Sequence, residues 1–249
     1  MTFLRRDGRS QAVGFGSGIE HDVALCCIYR PDFLDLEEQL EKIMVRKTGT
    51  VATPYWLDYR LTLTSGRRIA ISVKFEAEAR TLKYQRTIRA VRDVAVPEIA
   101  EQLNTVTERN IDPTHLANCK LFHAARFPEV ALGDRVTEAL SQLDQPMPIW
   151  MALDQAGIGP DGFWSAVRAI RWGDVEVMSR GIIDEHAVIR PLTAIGEAAL
   201  CRFVSRQKKT STSASSKWAA SSVRARAEAR SPKCATMVSW STGRSGHTR

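Results

Sequence analysis

No stretch of this 249-residue sequence is apolar for anything near the ~20 residues a membrane helix needs, and its first ten residues lack a signal-peptide core. A membrane or secretory reading is therefore not expected. Cysteine is sparse, odd in number and unpaired in pattern: Cys26-Cys27 are adjacent, Cys119, Cys201 and Cys234 are scattered, and no CxxC occurs. That pattern suggests neither a zinc knuckle nor a disulfide framework and fits a reducing, cytoplasmic setting. There is no GxSxG near any of the five histidines and no P-loop. Serine-hydrolase and NTPase chemistry are not indicated. Acid is almost missing beyond residue 201, where eleven Lys and Arg face one acid, Glu228. The net charge of +7 is thus concentrated there, because residues 1–201 hold twenty-four basic against twenty-seven acidic residues. The high isoelectric point says little about the body of the chain.

The most informative stretch runs from Pro54 to Glu76. It reads as two strands, about 56–64 and 68–75, joined at Ser65-Gly66, where glycine accepts the positive φ of a tight hairpin. Alternation puts Ser72, Lys74 and Glu76 on one face if the second strand continues, and Ile71, Val73 and Phe75 on the other. Asp58 on the first strand and Lys74 on the second can then meet at one end of the hairpin. An acid that holds a divalent metal beside a lysine is suited to cutting phosphodiesters: the metal polarises the phosphate and acidifies water, and the lysine orients water or neutralises developing charge. The same residues also suit an ordinary solvated hairpin.

In chain order, residues 1–17 carry Arg5, Arg6 and Arg9 and read as a mobile arm. Ser17 is a candidate N-cap for a helix over 19–29 that carries Glu20 in its first turn, where a carboxylate complements the helix dipole. Pro31-Asp32 is the turn that ends it. Residues 34–47 are extended or a short helix, and Thr48-Gly49-Thr50 turns into the hairpin. A helix over 76–93 follows, with a basic face of Arg80, Lys83, Arg86, Arg89 and Arg92 that is either solvated or set against DNA phosphates. A return strand over 103–107 completes an α/β layer, a small mixed sheet with helices beside it. Residues 113–200 turn helical: 115–122, 134–143, 149–156 and 161–171, the last carrying Arg168 and Arg171, with short extended pieces around 181–184. This reads as a winged-helix-like module that meets either a DNA groove or a protein partner. Residues 201–249 form a basic low-complexity tail, expected to be disordered.

The order Ser17-Gly18-Ile19-Glu20, then Glu37-Glu38-Gln39, then Asp58, then Ser72-Val73-Lys74 resembles the TnsA-type endonuclease subunit of heteromeric transposases, a PD-(D/E)xK family. The resemblance covers about residues 1–195, and its motifs are specific only in combination. It implies a restriction-endonuclease-like fold over 18–112 and Mg²⁺- or Mn²⁺-dependent cutting at the 5′ ends of a transposon. It also implies double-stranded DNA, a DDE-type transposase and an AAA+ regulator as partners. Carried over by position, Glu20 and Asp58 are metal-binding acids and Lys74 the catalytic lysine. Two positions depart from the pattern. Leu57 replaces the proline before the acid, which is not a ligand. Ser72 stands where the family often has Glu or Gln, and a hydroxyl is a weaker ligand for a hard cation than a carboxylate. Ser72 then acts through its backbone carbonyl or a water, or Glu76 substitutes, or the site is inactive. The alternatives are an inactive DNA-binding or assembly subunit of the same fold and a stand-alone phage or defence nuclease.

Overall fold

The computed structural model describes residues 1–5, 7–38, 40, 42–45 and 52–192. Gln39, the turn at 48–50, residues 193–200 of the second module and the basic tail lie outside them. The described residues divide into two compact units, one up to Phe127 and one from Pro128 to residue 192. The architecture is mixed α/β.

The first unit begins with strands β1 (Thr2–Leu4) and β2 (Ser10–Ala12), which pair antiparallel. Residues expected as a mobile arm are thus a hairpin. Phe3 and Val13 are buried, and that apolar anchorage outweighs the charge of the arginines around them. Helix α1 (Gly18–Ile28) starts at Ser17, whose hydroxyl oxygen accepts the Glu20 N–H. Val23 to Ile28 are all buried. A helix apolar on every side needs cover on every side, and α1 has strand β3 (Phe33–Glu38) against one face and helix α4 (Pro113–Ala124) against another. Strands β4 (Ile43–Val45) and β5 (Thr53–Tyr55) form a separate ribbon.

Strands β6 (Tyr59–Leu63) and β7 (Arg68–Val73) make the central hairpin, with Gly66 at φ +82° among the four residues that join them. Strand β8 (Gln102–Val106) returns parallel to β7, so the sheet order is β3-β6-β7-β8 and the sheet is mixed. A central strand whose two faces are both covered buries alternate residues of both sets. Ile71 and Val73 are buried on one face. On the other, Ala70 belongs to the apolar cluster that contains Tyr84, Ile88 and Val91 of helix α3 (Leu82–Ala95). Each buried Ile or Val contributes about 1.5–3 kcal/mol.

Ser72 is wholly buried, because α3 covers its face of the sheet. The arrangement corrects two readings. The strand does not continue to Glu76. It ends at Val73, Lys74 adds one bond to the Val106 carbonyl, and Glu76 opens a four-residue helix, α2 (Glu76–Ala79). The single helix expected over 76–93 is two, because the Thr81 side chain accepts the Tyr84 N–H and N-caps α3.

Helix α4 also moves across the expected boundary at 112/113. It is N-capped by Asp112 and packs on α1 within the first unit. The second unit holds helix α5 (Val130–Ser141), strand β9 (Met147–Pro148), helices α6 (Ile149–Gln155) and α7 (Phe163–Trp172), and strands β10 (Val175–Val177) and β11 (Val188–Pro191). The strands pair antiparallel in the order β10-β11-β9. Residues 181–184, expected to be extended, lie in the loop between β10 and β11, where Gly181 adopts φ +112°. Among the described residues no helix is long and apolar enough to cross a membrane.

Candidate functional site

A cleft of about 500 Å³ opens in the first unit. Three carboxylates line it, from three elements: Glu20 in the first turn of α1, Glu38 at the end of β3 and Asp58 at the entry to β6. Lys42, Trp56 and Tyr59 complete the wall, and Trp56 is 57% exposed.

Glu20 is fixed by its own helix start. Ser17 donates its hydroxyl to Glu20 Oε1 at 2.9 Å, and the Gly16 N–H donates to Oε2 at 2.7 Å. Together with the Glu20 N–H on Ser17, these bonds hold the carboxylate at the helix N-terminus. Tyr59 ties helix to sheet, its hydroxyl lying 3.3 Å from the Glu20 carbonyl and 3.2 Å from that of Gly14. Burial, with the Glu20 and Asp58 charges nearby, raises the Tyr59 pKa, so the phenol stays a donor. Glu38 approaches the backbone closely: a Cβ at Gly14 would stand 2.7 Å from Glu38 Oε2.

Asp58 is held across the hairpin. Its N–H donates to the Ile71 carbonyl at 3.1 Å, and its Oδ2 accepts the Val73 N–H at 2.7 Å. Burial pushes its pKa up and outweighs the lowering effects of the Val73 hydrogen bond and the Lys74 charge; Glu20 adds to the rise. The Lys74 charge thus reaches Asp58 electrostatically, although Lys74 is not part of the cleft wall. Ser72 lies behind the acid, its hydroxyl 2.8 Å from that of Tyr55. Tyr84 continues the polar layer, its hydroxyl 2.8 Å from Thr105 Oγ1.

Glu76 is occupied elsewhere. Its carboxylate accepts the Thr107 hydroxyl at 2.9 Å and Arg80 Nε at 2.6 Å, and these contacts hold it below the usual carboxylate range. Arg80 is thereby an ion-pair partner, while Lys83 and Arg86 are exposed on α3. In the second unit, Arg168 donates to Ser165 Oγ at 2.6 Å, and the Arg171 guanidinium lies 5.4 Å from the centre of the Trp172 ring.

Of the expected site residues, the structure brings Glu20 and Asp58 to one cleft, with Ser72 and Lys74 adjoining Asp58. Glu38, Lys42, Tyr55 and Tyr59 were missed as site residues. The signal for Glu38 was alternation along β3: Glu37 turns to a bidentate pair with Arg60, at 2.6 and 2.7 Å, which leaves Glu38 to the cleft. The oxygen donors suit a hard cation. Mg²⁺ is ordinarily held by one or two carboxylates, with water and substrate phosphate completing its shell. Among the described residues no three carboxylates bring ligand oxygens within 4.8 Å of one another, so the cleft fits that open pattern rather than a closed all-protein cage.

No protein-family model matches the chain, and no curated protein matches it.

Proposed function

We propose that the chain is a metal-dependent DNA endonuclease subunit of a transposase, cutting at transposon 5′ ends by phosphodiester hydrolysis. The observation that carries this reading is the meeting of Glu20 and Asp58 in one cleft, with the Lys74 charge acting on Asp58. The order of elements supports it: a helix bearing one acid, a hairpin bearing the second acid and the lysine, then a helix and a parallel strand, as expected of a restriction-endonuclease-like core. The second unit follows the order helix, strand, helix, helix, hairpin, which suits a winged-helix-like module with Arg168 and Arg171 on its last helix.

Glu20 and Asp58 would hold Mg²⁺ or Mn²⁺. Bound there, the ion supplies Lewis acidity to the phosphate and lowers the pKa of water. The raised pKa of Asp58 belongs to the metal-free cleft, and a cation beside it favours the charged form. Lys74 orients the attacking water or neutralises charge on the phosphate. Ser72 is a positioning residue: buried between Tyr55 and Asp58, it holds the polar layer against which the acid sits. Glu38 is a third acid beside the other two.

The direct test is cleavage of transposon-end DNA with Mn²⁺ and the partner transposase, wild type beside Asp58→Ala and Lys74→Ala. Cleavage lost in both variants, with DNA and partner binding kept, supports the assignment. A wild type that binds both but never cuts supports the second reading, a non-catalytic assembly subunit, which the burial of Ser72 on Tyr55 favours.

A further inference from the structure

Away from the cleft, α1 and α4 bring together Cys26, His115 and Cys119, with one ligand atom of each lying within 4.8 Å of those of the other two. We propose that these residues form a zinc site that clamps α1 to α4. The inference is independent of the nuclease reading and uses none of its residues.

The donor chemistry is soft and borderline, two sulfurs and an imidazole nitrogen, which suits Zn²⁺ and not Mg²⁺. His115 and Cys119 are four residues apart on α4, so they project from one helical face. His115 Nε2 lies 3.5 Å from Cys119 Sγ. Around a tetrahedral zinc, with Zn–N about 2.0–2.1 Å and Zn–S about 2.3 Å, adjacent donors stand roughly 3.5 Å apart. The third donor comes from α1, which packs on α4. Its neighbour Cys27 turns elsewhere, since successive helical residues are about 100° apart, and Cys27 lies close enough to Tyr59 of β6 to influence its ionisation.

Charge also balances. Each thiol gives up its proton on binding, so two thiolates neutralise Zn²⁺ and a neutral imidazole adds nothing. A neutral cluster suits a place where Cys26 is 4% and Cys119 0% exposed. The nearby cation, Arg30, is already paired with Asp32 through two hydrogen bonds of 2.8 and 2.9 Å. A water supplies the fourth ligand. Because Glu20 and Cys26 sit at opposite ends of the eleven-residue α1, a metal at one end fixes the helix that presents the acid at the other.

The test uses the full chain. Metal-free protein is titrated with Co²⁺ and read by absorption. One equivalent with a near-ultraviolet thiolate-to-cobalt band and tetrahedral visible bands is expected. That band persists in Cys27→Ser and in Cys201→Ser/Cys234→Ser, and it is lost in Cys26→Ser/Cys119→Ser. His115→Asn retains a thiolate band but shifts the visible bands. No thiolate band in the wild type overturns the proposal whatever the variants do. A band lost in the Cys201/Cys234 variant also overturns it, because the metal then sits on other sulfurs. If the Cys26/Cys119 variant does not fold, the wild-type titration with the His115 and Cys27 variants decides.

Discussion

The two ends of α1 show opposite ways of placing polar side chains. At its start, Glu20, Glu38 and Asp58 line an open cleft, and Glu20 is held by the hydrogen bonds of a helix cap. Toward its end, the buried Cys26 and Cys119 meet the half-buried His115 in a cluster held by helix packing. The open end keeps hard oxygen donors hydrated and available to phosphate and cation. The closed end keeps its two sulfurs away from bulk water. One helix can serve both because its first turn has unpaired N–H groups that favour anions, and its later turns are apolar all round. Function is therefore expected at the open end and rigidity at the closed one.

The largest effect should come from Asp58. Asp58→Ala is expected to lower Mn²⁺-dependent cleavage by a hundredfold or more, about the scale of losing one charge-stabilising group, while circular dichroism is unchanged. Asp58→Asn keeps an oxygen for the Val73 N–H and should be as inactive but more stable than the alanine variant. Full activity in Asp58→Asn would break the assignment of the open end, since the charge would then be dispensable.

Ser72 comes next. Ser72→Ala leaves the Tyr55 hydroxyl unpartnered at this contact and should cost about 1–3 kcal/mol in denaturant unfolding. Ser72→Ala/Tyr55→Phe removes both partners and should recover most of it, because replacing both groups of a hydrogen bond is often nearly neutral. No recovery would mean that Ser72 acts chiefly on Asp58.

Much of this geometry was local and therefore legible. Ser17 caps Glu20 within three residues, Gly66 marks the hairpin, and Asp58 faces its β7 contacts across one turn. What was not legible depends on distant chain. The burial of Ser72 was not legible, because alternation says which face a residue takes and not what covers that face; α3 covers it here. Glu76 was placed on a strand that stops at Val73, where the chain turns into α2. The clustering of Cys26 with His115 and Cys119 was invisible as a motif, since its partners lie some ninety residues away on α4.

Acidification probes the helical side more gently. His123, near the end of α4, has its pKa pulled down from 6.5 to about 4 by burial, helped by Arg126, His21 and the N-terminal ammonium. Its Nδ1 lies 3.0 Å from the Tyr29 hydroxyl of the α1 C-cap. The unfolded chain takes up this proton near pH 6.5 and the folded chain only near pH 4. This contribution is therefore fully present above 6.5 and is lost as pH falls from 6.5 to 4. Denaturant midpoints at pH 7 and pH 5 should differ less in His123→Gln than in wild type. An equal acid loss in the variant would place the sensitive group elsewhere.

The smallest effect isolates Glu38. Gly14 has no positive φ, so alanine there carries no backbone strain, but its Cβ would stand 2.7 Å from Glu38 Oε2. The Glu38 side chain is exposed at the end of its strand and can swing away, so Gly14→Ala should change stability by no more than about 0.5 kcal/mol. Cleft chemistry is more sensitive, since a carboxylate moved by an ångström no longer reaches the same ligand. If Glu38 helps hold the cation with Glu20 and Asp58, calorimetric titration should show Mn²⁺ binding weakened several-fold in Gly14→Ala and similarly in Glu38→Gln. If both variants bind Mn²⁺ as wild type does, the open end works with two acids, and Glu38 only adds negative charge to the wall.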